Sequence, residues 1–225
     1  MFAFITSSVA SVASARRGEA RTEWNENANA SSNASSSSNA NDADGERERS
    51  AYGDLARYVD EKFAFELAVP QSWAYATKPG ANALFKDPKA KYSNVGVTVS
   101  PVTINSLSAF GSVGEIGRKL AEAEGKKEST IPGGVDMLSE RERVGAKSGV
   151  TFYDYEYRLI TTHGNKRIYA SVTIVDNTLY ILNAQVYETT DPEKPTEEQK
   201  AFDEANAELY RRVGATFDVS KRIFS

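Results

Sequence analysis

Cysteine is absent from the 225 residues, and histidine occurs once, at His163. The first absence excludes disulfide scaffolds, thiolate zinc fingers, iron–sulfur clusters and cysteine nucleophiles. The second excludes a two-histidine metal site and leaves any Ser-His-Asp triad to be built on His163 alone. No stretch approaches the roughly 20 apolar residues that a bilayer-crossing helix needs. A concentrated basic surface is missing too: 27 Lys and Arg stand against 31 Asp and Glu, for a formal charge of −4. Neutralising phosphates requires clustered Lys and Arg, so nucleic acid is not an expected partner. What is present, with 40 % hydrophobic residues, is the composition of one soluble domain, or one domain plus a tail.

The tail is read from a change of composition. Residues 25–44 are entirely Asn, Ala, Ser, Glu and Asp, with nothing to bury against the entropy of ordering, which predicts disorder. Residues 1–15 are mildly apolar and end in Ala13-Ser14-Ala15, the small-x-small pattern of a signal-peptidase site, but Arg16-Arg17 follows that run instead of preceding it. An intact signal, the remnant of a targeting peptide and a plain disordered tail all remain open. Asn29 and Asn33 sit in N-x-S sequons that an Asn/Ser-rich stretch produces by chance. The expected division is a leader over 1–50 and a folded domain over 51–225.

Within that domain Phe63, Phe65, Leu67 and Val69 alternate and stop at Pro70, which predicts a strand with one buried face. Trp73 closes the following turn and is expected to be buried. Short strands follow at 83–85 and 95–99. Ser112 and Glu115 form a capping box, with Ile116, Leu120 and Ala123 on one helical face and an end near Gly125. Residues 131–145 are ambiguous, with Pro132-Gly133-Gly134 predicting a loop. Strands are then predicted over 150–162, 167–175 and 178–187, joined by His163-Gly164-Asn165 and Asp176-Asn177, so they form an antiparallel meander. Thr196 and Gln199 repeat the capping box and open a helix whose apolar stripe reads Phe202, Ala205, Leu209, Val213, with Gly214 as its C-terminal cap. The sum is an α+β fold, a central antiparallel sheet flanked by helices in an αβα sandwich.

Few residues offer chemistry. Alternation sets Asp154, Glu156 and Arg158 on the face opposite Tyr153, Tyr155 and Tyr157. Two carboxylates at i and i+2 are the candidate calcium pair or acid/base pair, although calcium takes 6–8 oxygens and no D-x-D-x-D-G loop supplies them. The plainer reading is a solvated face on which Glu156 and Arg158 offset each other. His163 is expected at an exposed hairpin tip. Gly111, Gly114 and Gly117 lack the spacing of a dinucleotide fingerprint and read as helix–sheet packing. The tyrosine row reads as a helix-covered sheet face, with an aromatic ligand platform as the alternative. Lys147, Lys166 and Arg167 are the expected cationic docking residues.

In order and spacing these pieces resemble a known family. Phe63-x-Phe65-x-x-x-Val69-Pro70-x-x-Trp73, Pro79-Gly80-Ala81 leading to Leu84-Phe85-Lys86-Asp87, and Asn94-Val95-x-Val97-x-Val99 before Pro101-Val102 resemble the amino-terminal half of PsbP-domain proteins. Phe110-Gly111, Tyr153-x-Tyr155-Glu156-Tyr157, Thr178-Leu179-Tyr180 with Ala184-Gln185, and Ala215-Thr216-Phe217 resemble the rest, so the likeness spans about residues 55–220. It implies a protein of the chloroplast thylakoid lumen, peripheral to the membrane, that supports the oxygen-evolving complex of photosystem II or assembly of photosystem I or a related complex. Calcium and chloride retention is the chemistry of the photosystem II members, and no catalytic residues carry over. The acidic charge and Asn/Ser-rich leader point to a PsbP-like paralogue of the main subunit. Two alternatives remain: a hydrolase using Asp154 and Glu156, and a Ran-binding nuclear-import factor of the same fold.

Overall fold

The computed structural model describes residues 54–90, 92–189, 194 and 196–220; the expectations for residues 1–50 and for the Asp191-Pro192 turn lie outside them. The first strands are β1 (Leu55–Asp60), β2 (Phe65–Pro70), β3 (Ala74–Tyr75), β4 (Ala83–Lys86) and β5 (Asn94–Pro101), followed by helix α1 (Val113–Gly125). The long meander β6 (Thr130–Val144), β7 (Thr151–Thr161), β8 (Gly164–Val175) and β9 (Thr178–Tyr187) comes next, and α2 (Glu197–Ala215) and β10 (Asp218–Val219) close the fold.

Seven strands pair antiparallel in the order β3-β4-β5-β9-β8-β7-β6, and β1-β2-β10 make a separate small sheet. The class is α+β, as the patterning predicts. Turn chemistry sets the meander: Gly164 (φ 110°) bends β7 into β8, and Asp176 (φ 49°) with Asn177 (φ 56°) bends β8 into β9. Positive φ at both central residues matches the twist of a two-residue hairpin, and Asp and Asn tolerate it.

The large sheet buries both faces. On one, Tyr153, Tyr155, Tyr157 and Leu159 of β7 meet Ile168, Ala170 and Val172 of β8 beneath Ile116 of α1 and Leu107. The Tyr153 and Tyr155 hydroxyls donate to the carbonyls of Gly111 and Val113 at 3.3 and 3.0 Å, fixing the start of α1 on the sheet. Gly117 lets that helix sit close, since a Cβ there would stand 3.1 Å from the Tyr155 ring. On the other face Phe85, Val95, Val97, Phe152 and Leu182 pack beneath Tyr210 and Val213 of α2, beneath Phe65 and Leu67 of the small sheet, and beneath Phe217 just before β10. Trp73 is buried there as expected, its ring 5.1 Å from that of Tyr210.

Both capping boxes are present, at Ser112/Glu115 and Thr196/Gln199. Four expectations change. The strand expected to begin at Phe63 is divided by a turn at Ala64 (φ 56°), and β1 precedes it as an unforeseen partner of β2. Residues 131–145 form most of edge strand β6, with Pro132-Gly133-Gly134 absorbed as a register shift between Thr130 and Val135. The buried stripe of α2 is Asp203, Ala207, Tyr210, Val213 and Gly214: Val213 lies in it as expected, whereas Phe202 is exposed and Asp203 and Ala207 are buried instead of Phe202 and Ala205. Finally, α2 runs past Gly214 to a cap at Thr216; Gly214 is helical, and a Cβ there would enter the Tyr169 ring.

Candidate functional site

Asp154 and Glu156 do lie opposite the tyrosines, yet that face is covered, not solvated. They are 1 % and 8 % exposed. Burial of a carboxylate requires partners for its oxygens, and each oxygen here has one. Asp154 Oδ1 accepts from Ser171 Oγ at 2.6 Å and Oδ2 from Arg143 Nε at 2.9 Å. Glu156 Oε1 accepts from Arg167 Nε at 2.6 Å and Oε2 from Arg211 Nε at 2.9 Å. Arg143 also donates to the Phe217 carbonyl and stacks over the Phe152 ring, 4.3 Å from its centroid. Arg158, the expected partner of Glu156, pairs instead with Glu188 at 2.7 Å. The carboxylates thus clamp α2 and the chain after it to the sheet. Arg211 and then Arg167 hydrogen-bond Glu204 of α2 and hold its carboxyl below the usual carboxylate range. No group of three or more His, Cys, Asp or Glu side chains arranged for a metal ion occurs among the described residues.

The three expected docking cations do not form one patch. Adjacent strand residues point to opposite faces. Lys166 shares the α1 face with its cross-strand neighbours Leu159 and Tyr187, and its ammonium lies 5.0 Å from the Tyr187 ring centroid. Arg167 points the other way, into the ion pairs with Glu156 and Glu204, with a side chain 13 % exposed. It is a correction to the sequence reading: Arg167 belongs to the clamp. Lys147, in the turn between β6 and β7, pairs with Glu66 at 2.7 Å and lines a separate cleft beside Asp218. The backbone N–H groups of Lys147 and Ser148 donate to that Asp218 carboxylate, which ties the turn to β10.

His163 is exposed, as expected of a hairpin tip. It also stands at the edge of a feature that the sequence reading missed: a groove of about 870 Å³ on the α1 face, where the helix does not reach. Its floor is the polar end of the sheet, with Asn94 opposite Gln185 and Gly96 opposite Asn183 on neighbouring strands β5 and β9. Gln185 Nε2 and Asn94 Nδ2 donate to the Tyr92 carbonyl at 2.9 and 3.2 Å. One wall comes from the C-terminal end of α1 and the start of β6, through Glu124, Lys127 and Thr130. Glu124 is 1 % exposed and accepts from Lys127 Nζ at 2.6 Å. Burial first, then the Glu124 charge, pushes the Tyr157 hydroxyl well above the ordinary phenol range, so it remains a neutral O–H. Lys86 and Lys166 stand on the rim. Alternation within β5 and β9 was the available signal, since Asn94, Thr98, Asn183 and Gln185 interrupt the apolar pattern on a single face.

Residues 53–207 match the family model described as PsbP. The chain is 39 % identical over 143 residues to PsbP domain-containing protein 2, chloroplastic, of Arabidopsis thaliana, covering 63 % of this chain and 59 % of that protein. It therefore spans about three fifths of the length of that curated relative. The solution structure of cyanobacterial PsbP (CyanoP) from Synechocystis sp. PCC 6803 aligns with a TM-score of 0.55 at 20 % identity, over 74 % of this chain and 92 % of that one. The latter likeness concerns the fold alone. From a family match across more than half its length, the chain belongs to the PsbP family.

Proposed function

We propose that this protein is a non-enzymatic PsbP-like protein of the chloroplast thylakoid lumen, peripheral to the membrane, serving a photosynthetic complex: the oxygen-evolving complex of photosystem II, or assembly of a photosystem. Family membership and the chloroplastic relative support the setting. The observation that carries the non-enzymatic reading is the state of Asp154 and Glu156, the strongest acid/base candidates, whose four oxygens accept from Arg143, Ser171, Arg167 and Arg211. A general base needs a lone pair within reach of substrate, and these carboxylates lie beneath α2. Calcium forms no part of the reading for the same reason.

Attachment then rests on cationic side chains at the surface, Lys86 exposed and Lys166 half-buried. Lys166 is the member of the expected trio best placed to dock, and Lys86 joins it on the rim of the groove. Exposed charge contacts are screened within roughly 10 Å at 0.1 M salt. Thylakoids fractionated at low ionic strength should show the protein co-migrating with one membrane complex, and molar salt should release it. Lys86→Gln combined with Lys166→Gln should weaken attachment without lowering the melting temperature. Recovery outside the lumen, or persistence on the membrane through salt washing, would refute the docking scheme.

A further inference from the structure

The groove on the α1 face has the size of a ligand site and unmet polar groups in its lining. Pockets for small ligands typically run from about 300 to 1,000 Å³, mostly apolar with a few placed polar groups, and this one measures about 870 Å³. Thr130 is 7 % exposed and its Oγ1 is buried with no hydrogen-bond partner; Asn183 Oδ1 is likewise buried and unpaired. Tyr157, 2 % exposed, lines the same groove, and its neighbours Tyr153 and Tyr155 on the strand give their hydroxyls to backbone carbonyls instead. Buried polar groups are nearly always hydrogen-bonded, so two exceptions lining one cavity call for a common cause.

Their chemistry selects the ligand. Asn183 Oδ1 only accepts, whereas the Thr130 and Tyr157 hydroxyls both donate and accept. An anion without hydrogens would leave the asparagine oxygen unmet, and an apolar molecule would leave both buried oxygens unmet. A metal cation would meet one carboxylate, Glu124, that already holds Lys127 at 2.6 Å, with Lys86 and Lys166 repelling it from the rim. A ligand carrying several hydroxyl groups satisfies every position, because each hydroxyl is donor and acceptor at once. The rim adds two tyrosine rings, Tyr92 and Tyr187, with centroids 5.8 Å apart and planes inclined at 52°, and Tyr92 is 64 % exposed. Such rings offer flat apolar surface to the C–H faces of a pyranose. We propose that the groove between the end of α1 and strands β5 and β9 binds a polyhydroxylated ligand, a sugar, whether free or as the headgroup of a lipid.

The ligand-binding groups lie on the floor and one wall of the groove and do not include the rim lysines invoked for docking, and the test uses neutral substitutions to keep the two apart. Full-length protein is titrated with galactose, glucose and maltose by ligand-detected NMR and calorimetry. In parallel it is mixed with phosphatidylcholine vesicles with and without a digalactosyl lipid. Saturable binding in either arm supports the site, a free sugar identifying a soluble saccharide and sugar-dependent vesicle binding identifying a headgroup. Thr130→Val and Tyr157→Phe should each weaken that binding about tenfold, the effect of losing one ligand hydrogen bond, while the melting temperature of Thr130→Val holds or rises because it removes an unpaired buried oxygen. No saturable binding in either arm overturns the proposal, and so does binding that both variants leave unchanged.

Discussion

Replacing Glu156 by glutamine tests whether the acidic pair on β7 is structural. The substitution keeps the shape of the side chain and removes its charge, leaving Arg167 and Arg211 facing a neutral amide. Breaking a buried ion pair by neutralising one member typically costs about 3–5 kcal/mol, because the remaining charge is buried without compensation. Here the penalty is smaller, since the Arg167 and Arg211 side chains are 13 % and 25 % exposed and both still reach Glu204. An expected loss of about 2–3 kcal/mol follows, which lowers the melting temperature of a domain this size by about 4–12 °C. The assay is urea and thermal unfolding of Glu156→Gln, Arg211→Met and the double variant. A coupling energy above about 1 kcal/mol is expected for groups in direct contact. A shift below about 2 °C together with a coupling near zero would refute the clamp. Calcium supplies a second arm: an ion bound only by the folded state raises its melting temperature by mass action. If millimolar calcium stabilised the wild type and not Glu156→Gln, the carboxylates would be ligands after all.

Trp73→Ala should cost about 3–5 kcal/mol, as expected for truncating a buried indole, and a near-neutral result in urea unfolding would place its contribution outside the core. Burial first, then the neighbouring Tyr75 hydroxyl, pushes the Tyr58 phenol from 10.0 up to about 12. A folded-state value above the unfolded one contributes stability that is fully present below pH 10 and is lost as pH rises through about 12. The fall in unfolding free energy across that window should be shallower in Tyr58→Phe, and an unchanged slope would sink the assignment.

How far the sequence disclosed this molecule depended on how local each determinant is. Capping boxes at Ser112 and Thr196 and the Asp176-Asn177 turn were legible because the interacting atoms lie within a few residues of one another. Strand β1 was not, since Ala56, Tyr58 and Asp60 offer no clean alternation; its pairing with β2 identifies it. The first half of the α2 stripe was read about one residue out because hydrophobicity weighted Phe202 over Asp203, whereas Asp203 is drawn inward to accept from the Thr189 N–H and hydroxyl at 2.8 and 2.9 Å; Val213 in its second half is buried as expected. Gly214 looked like a cap, and only Tyr169 across the helix–sheet interface explains why no side chain fits there. Period two placed Asp154 and Glu156 on one face, but the arginines that occupy them come from β6, β8 and α2, as much as 55 residues away. Burial of this kind is invisible to a pattern confined to one strand.

The same alternation shows why a groove forms on one face of the sheet and not on the other. A helix about 10 Å across covers roughly two strands spaced about 4.8 Å apart, and α1 packs on β6 and β7. The α2 face has the broader cover of a longer helix and a three-stranded sheet, and there β5 and β9 present Val95, Val97, Leu182 and Ala184, each 0 % exposed. Toward α1 those two strands carry Asn94, Gly96, Asn183 and Gln185 instead. Had α1 been meant to extend across them, these positions would need to be apolar, because a helix cannot satisfy side-chain amides along its flank without partners of its own. Polar residues at alternate positions of β5 and β9 therefore mark where the helical cover stops, and the unpaired oxygens of Thr130 and Asn183 lie along that margin.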